Sequence, residues 1–424
     1  MNTRRNYPLL LASQFLSAFG DNAILAVILG QLTLLAKAGT IAQDELRTRG
    51  AIYTGLLFVP YVLLAPLAGF LNDRYAKTTW LTGGNLFKLA GTAICAISIW
   101  QGYVWQAPGY FIVGIGSCFY GPAKYGILPE ILPRESLVKA NGMVELLTLL
   151  AILFGGIGGS WMSDHLTVKA CYIIVASIFG GSLALNALMT RTPSDTSIRL
   201  KVSVSEFIAH FGGLMTHARL GRMLVGTAIF WLCGATMKVN FQPWGLYVLK
   251  LNSNTEIAAL GLWLAIGIMA GSIVAGIIHR VGDLRRTQLY GLVLAGTLLI
   301  LWSVGPVPAW QSWTVMLGGF KLIPLVILLL IATGFVAGLF LIPLNAALQA
   351  ESNPTKLGKT IAAQNFTDNI AMIVAAGICW TCVKLELSAG GVFIVLAAIV
   401  VLAMAFLRIP ASVERSRDPE SVGK

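Results

Sequence analysis

The sequence predicts an all-α polytopic membrane protein, twelve transmembrane helices arranged as two six-helix bundles. Three observations predict it. Of 424 residues, 56% are hydrophobic and only 11% are charged, whereas soluble domains carry about 25% charged residues. The apolar stretches are continuous rather than alternating, which favours helices over a β-barrel. The second half of the chain repeats polar and proline landmarks of the first.

The apolar runs place spans near 8–36, 51–71, 78–99, 108–128, 141–163 and 170–190. After a polar interval, six more follow near 222–249, 256–279, 287–304, 322–348, 361–383 and 389–408. The organisation expected is a first bundle over 1–190, a linker over 191–221, a second bundle over 222–408 and a polar cytoplasmic tail over 409–424. In the linker, Phe207, Ile208, Phe211, Leu214 and Met215 recur at helical spacing. That pattern predicts an amphipathic helix lying on the cytoplasmic leaflet.

The formal net charge of +12 reads as a topology signal rather than nucleic-acid affinity. With the N-terminus in the cytoplasm, segments on that side hold 20 of the Lys and Arg residues, and those on the opposite side hold 7. The bias puts both termini inside. Arg4-Arg5 then orient an uncleaved first helix, because the following apolar run is too long for a signal peptide. All six cysteines fall in apolar runs. Cys379-Trp-Thr-Cys382 therefore reads as two small side chains on one helix face, not a redox pair. The four histidines lack zinc-ligand spacing, so no metal or cofactor is expected. The sequence has neither a G-x4-G-K-[ST] phosphate loop nor an H-x4-D acyltransferase pair, which argues against an enzyme and against ATP as a direct energy source.

Two stretches carry the repeat. Pro122, Lys124, Glu130 and Pro133 align with Pro343, Asn345, Glu351 and Pro354 at a constant separation of 221 residues, and Glu145 aligns with Asp368 after a two-residue slip. Parallel repeats of six helices are a transporter layout, with the substrate site near mid-membrane between the halves. Gly69-Phe-Leu-Asn-Asp73-Arg74-Tyr-Ala-Lys77 resembles the major facilitator signature G-x-L-x-D-R-x-x-(R/K). There Gly69 is expected to let two helices approach, Asp73 to sit near a helix N-terminus, and Arg74 and Lys77 to face the cytoplasm as parts of a gate.

Asp21, Lys88, Lys124, Glu145, Lys238 and Asp368 all fall inside predicted spans. A charge at mid-bilayer costs at least ~2.5 kcal/mol. Snorkelling near a helix end, or a structural ion pair, accounts most readily for Lys88, Lys124 and Glu145. It accounts least well for Asp21, ~20 Å into the first helix, and for Lys238, ~24 Å into the seventh. Those two are expected to face each other across the halves, with Asn22 and Asn345 as polar neighbours. Mixed charge suits a zwitterionic phosphorylated head group, but also a proton-coupled exporter of amphiphilic drugs.

Taken together, Gln14-Phe-Leu-Ser-Ala-Phe-Gly-Asp-Asn-Ala23, Pro122-Ala-Lys-Tyr-Gly-Ile-Leu128, Leu137-Val-Lys-Ala-Asn-Gly-Met143, Pro343-Leu-Asn-Ala-Ala-Leu-Gln349 and Gln364-Asn365 resemble the bacterial lysophospholipid transporters of the major facilitator superfamily. The resemblance covers nearly the whole chain. It implies a multi-pass inner-membrane protein that moves lyso-phosphatidylethanolamine and lyso-phosphatidylglycerol from the outer to the inner leaflet. It also implies functional coupling to a cytoplasmic-side acyltransferase/acyl-carrier-protein synthetase. The expected state is a monomer. Asp21, Lys124 and Lys238 then fall where head-group contacts are expected. At the last position relatives carry Arg, so Lys238 keeps the charge but loses the bidentate fork.

Overall fold

The computed structural model describes residues 5–101, 103–133, 136–194, 196–280, 282–305, 313–352 and 357–409, without the side chains of 137–139, 141, 142, 145, 357 and 358. Arg134, Pro354, Lys356 and the expected tail beyond 409 lie outside the described residues, as do the side chains of Lys139 and Glu145.

Helices account for almost all of the described chain. The first half holds α1 (Asn6–Lys37), α2 (Gln43–Leu56), α3 (Val59–Leu63), α4 (Ala65–Arg74), α5 (Lys77–Gln101), α6 (Gln106–Gly126), α7 (Leu128–Ile131), α8 (Leu137–His165) and α9 (Val168–Ala187). The linker helix is α10 (Leu200–Thr216). The second half holds α11 (Leu220–Pro243), α12 (Asn254–Ile278), α13 (Thr287–Ser303), α14 (Pro324–Glu351), α15 (Leu357–Lys384) and α16 (Gly391–Phe406). A short hairpin, β1 (Val315–Leu317) with β2 (Phe320–Leu322), joins α13 to α14.

Among the described residues, seven helical stretches are long and apolar enough to cross a bilayer: α1, the last 20 residues of α8, α9, α11 with its extension, α12, α14 and most of α15. The chain from α2 to α4 makes an eighth if its bend is taken as one broken span. The helices α13 and α16 are apolar but shorter, and α5 and α6 bring the series of helical segments to twelve. Their boundaries lie within a few residues of the sequence-based ones, except in the second span. That span starts at Gln43 and is bent by 55° before α4. Pro60 and Pro66 open α3 and α4; each lacks the N–H needed to continue a helix.

The spans alternate in direction. One face of the molecule, the terminal face, carries the start of α1, the end of α16 and α10. The other is the far face. Each half has its own apolar core: one gathers Ile24, Ile28, Tyr110 and Phe179, the other Trp244, Leu298, Phe340 and Phe393. Helix pairs close on small residues. A Cβ added to Gly267 on α12 would overlap the Ile331 carbonyl of α14, and one on Gly334 would overlap the Leu264 carbonyl. Close packing of this kind holds helices together where lipid supplies no hydrophobic drive.

In the linker helix, Phe207 and Phe211 clasp the Phe366 ring of α15 edge-on, with centroids 5.7 and 5.4 Å away. Glu206 pairs with Lys359 at 2.6 Å, and His210 shares a hydrogen bond with Thr360. Leu214 is buried, while Ile208 and Met215 remain exposed. Edge-to-face aromatic pairs add ~0.5–1.5 kcal/mol each beyond their burial, which favours docking on α15 for the aromatic part of the apolar stripe.

Candidate functional site

Successive helical residues point ~100° apart, and this separates Asp21 from Asn22. Asp21 turns into the first bundle. Its Oδ2 lies 2.7 Å from Lys88 Nζ and accepts a hydrogen bond from Ser117 at 3.0 Å. Lys88 sits midway along α5 and is 1% exposed; it also donates to Ser17 at 2.7 Å. Ser17 donates to Asn85, Asn85 donates to Ser182, and Ser182 donates to the Ser13 carbonyl. The rings of Tyr120 and Phe179 lie 5.1 and 5.8 Å from the ammonium. The result is a buried polar network binding α1, α5, α6 and α9. Lys88 is therefore not a snorkelling side chain near a helix end.

Asn22 faces the second bundle. Its Oδ1 accepts a hydrogen bond from Lys238 Nζ at 2.9 Å. Lys238 is exposed although flanked in α11 by the buried Met237 and Val239. Among the described residues it makes no ion pair. Asp21 and Lys238 thus do not meet. Lys88 takes the carboxylate, and Asn22 carries the contact between halves.

The remaining expected site residues form three further groups. Lys124 Nζ donates to Thr148 at 3.2 Å and lies 4.8 Å from the Tyr125 ring centroid, while Thr148 donates to Gln14 at 3.0 Å. Asn345 accepts from Gln364 at 2.8 Å. The Lys124–Thr148 bond joins the fourth span to the fifth and the Asn345–Gln364 bond joins the tenth to the eleventh, so these repeat-related positions make repeat-related contacts. Asp368 is 4% exposed and accepts from Thr227 at 3.0 Å, with no cation among the described residues. The Glu145 backbone lies in α8; its side chain is outside the described residues.

In the signature loop, a Cβ added to Gly69 would meet open space. Asp73 lies in the last turn of α4 and is exposed, within electrostatic reach of Lys77 and Lys359 in the first turns of α5 and α15. Arg74 donates to the Ile198 carbonyl of the linker and stacks over Phe70 and Tyr75. Lys77 pairs with Glu130 at 2.6 Å. The repeat partner of Glu130, Glu351, is held by Arg219 at 2.6 and 2.7 Å.

Sequence reasoning missed the contact that closes the far face. Asp164, at the end of α8, bonds the first turn of α12 in the other half. Its Oδ1 accepts from the Asn254 backbone and side chain at 3.0 and 2.8 Å, and its Oδ2 accepts from the Thr255 backbone and hydroxyl at 2.8 and 2.7 Å. Lys37 donates to the Asn252 carbonyl at 2.6 Å, and Gln242 donates to both Thr33 and Asn254. An Asp at the end of one span and an Asn-Thr pair opening another were the visible signals. Nothing in sequence spacing joined them.

Known proteins corroborate this architecture. The profile of the Major Facilitator Superfamily matches residues 10–376. The chain is 33% identical to the lysophospholipid transporter LplT of Photorhabdus laumondii over 88% of this chain and 87% of that one. It is 32% identical to the protein of the same name from Cronobacter sakazakii over 94% of both. Among solved structures, a POT family transporter in complex with 5-aminolevulinic acid superposes with a TM-score of 0.72 at 12% identity over 95% of both chains. The human organic anion transporter MFSD10 does so at 0.65 and 12% identity, over 96% of this chain and 100% of that one. At such identities the solved structures speak for the fold alone. The repeated halves, the profile match over residues 10–376 and the relatives above 30% identity make this multi-pass membrane chain a member of the major facilitator superfamily and, within it, of the bacterial lysophospholipid transporter family.

Proposed function

We propose that the protein carries lysophospholipids, lyso-phosphatidylethanolamine and lyso-phosphatidylglycerol, from the outer to the inner leaflet of the bacterial inner membrane by alternating access. The observation that carries this reading is Lys238: an exposed ammonium inside a membrane span, held by a neutral amide across the seam between halves. A cation without an ion-pair partner can receive the phosphate of a head group without first breaking a salt bridge. Lys124, Gln364 and Asn345 offer further polar contacts, and Asp368 offers a carboxylate for an ammonium. The acyl tail need not leave the bilayer if it passes between helices. Asp21 acts in this reading as the anchor that fixes α1 and presents Asn22. The termini face the cytoplasm, following the Lys and Arg bias. The protein works as a monomer and hands its product to a cytoplasmic-side acyltransferase/acyl-carrier-protein synthetase. It performs no covalent chemistry itself.

The test is flipping of fluorescent lysolipid in proteoliposomes. Lys238→Ala removes one hydrogen bond to an amide, worth ~0.5–1.5 kcal/mol of folding stability. It is expected to slow flipping at least ~tenfold, equivalent to about 1.4 kcal/mol. Wild-type flipping in this variant would sink the assignment. Asp368, buried beside a neutral hydroxyl, is the observation that favours a proton-coupled exporter instead. Drug resistance on expression, without lysolipid uptake into spheroplasts, would decide for that reading.

A further inference from the structure

A second cation lies on the seam, away from the central site. Arg47 sits one turn into α2 on the far face, ~6 Å from the start of the helix. Its side chain is 5% exposed. Nη1 lies 3.6 Å from Asp44, a carboxylate that is 66% exposed and so a weak, solvated partner. Nη2 is buried with no hydrogen-bond partner among the described residues. Arg47 borders a cavity of about 10 Å³. Every other wall comes from the opposite half: Val239, Asn240 and Pro243 of α11, Cys379 and Val383 of α15, and Val392 of α16.

A guanidinium cannot shed its proton, and a buried charge lacking full pairing is costly. The cavity is about the size of one water, too small for a phosphate. Because its walls belong to both halves, parting the halves on the far face must enlarge it. The fork geometry of arginine matches a phosphate bidentately, which the single ammonium of Lys238 cannot do. The far face is the outer-leaflet side in the proposed orientation, and one turn into a span lies in the interfacial layer where lipid phosphates sit.

We propose that Arg47 is a phosphate-capture site, opened when the halves part on the far face, which takes the phosphodiester of a lysolipid before it reaches Lys238. The proposal rests on the lysolipid reading of the central site. It sets an order of events. A phosphate on Arg47 holds the seam open, so the far face closes only after the head group has moved inward.

The test compares wild type, Arg47→Gln and Arg47→Lys in proteoliposomes. Uptake of fluorescent lyso-phosphatidylglycerol gives KM and kcat, and binding of an uncharged monoacylglycerol is measured alongside. Arg47→Gln is expected to raise KM about tenfold with little change in kcat, Arg47→Lys to raise it less, and monoacylglycerol binding to stay constant in all three. A KM equal to wild type in Arg47→Gln, with wild-type flipping intact, overturns the capture site. So does a loss of kcat at constant KM, which marks Arg47 as a structural support. If Arg47→Gln fails to fold, an unchanged KM in Arg47→Lys overturns it equally. A wild-type protein that flips no lysolipid removes the functional reading and the capture site with it.

Discussion

Charge at mid-membrane is divided between a closed pair and an open group. Asp21 and Lys88 neutralise each other at 2.7 Å inside one bundle, whereas Lys238 leans on an amide across the seam. Removing one member of a buried pair leaves the other uncompensated, at a cost of ~3–5 kcal/mol, while replacing both with apolar groups is often close to neutral. Lys88→Met is therefore expected to lower thermal stability in detergent strongly, and the double variant Asp21→Leu, Lys88→Met to recover most of it. A double variant no more stable than Lys88→Met alone would contradict the pairing. The sequence already showed that Asp21 and Lys238 were costly. It could not show that Asp21 would find Lys88, because the two lie 67 positions apart and meet only through packing of the first bundle, where α1 and α5 both lie on α9.

Helix positions were legible because continuous apolar runs of about 20 residues have few alternatives in lipid. The bend in the second span was less so: Pro60 and Pro66 were visible, yet the early start at Gln43 carries Asp44, Glu45, Arg47 and Arg49 and reads as loop. The linker's helical period was legible, whereas the Phe366 contact of its aromatic residues was not, since period reports a face and not what covers it. The far-face latch belongs to this scale as well. Asp164 bonds the first turn of α12 from the neighbouring half, beside that helix's own Ser253 cap, and a hydrogen bond to a charged group contributes ~1.5–3 kcal/mol. Since the two ends of this bond lie on different halves, losing it biases the far face toward opening. Coupling of ~1 kcal/mol shifts a two-state population about fivefold. Asp164→Ala is expected to raise the alkylation rate of Cys379, which lines the seam cavity, by about that factor. An unchanged rate would show that the latch does not hold the seam.

For the molecule as a whole, the repeat proved more informative than any single motif. Glu130 and Glu351 both hold a basic side chain, and Lys124 and Asn345 bond to equivalent spans. The signature loop gave its basic residues but not their partners: Lys77 meets Glu130 and Arg74 meets the linker carbonyl of Ile198, because a motif gives neighbours in sequence and not in space. Rocking of two halves requires each to move as a unit, and the glycine seam between α12 and α14 provides that stiffness. Overpacking a tight contact costs at least ~1–3 kcal/mol. Gly334→Leu is accordingly expected to abolish the monodisperse peak in size-exclusion chromatography, whereas Gly296→Leu, where a side chain meets open space, is expected to preserve it. The Asp164 latch also has an evolutionary consequence. Two of its four bonds go to main-chain N–H groups, which every residue except proline presents. Positions 254 and 255 can therefore drift opposite a constant acid, so the two halves would stay joined without leaving any covariation between the columns that join them.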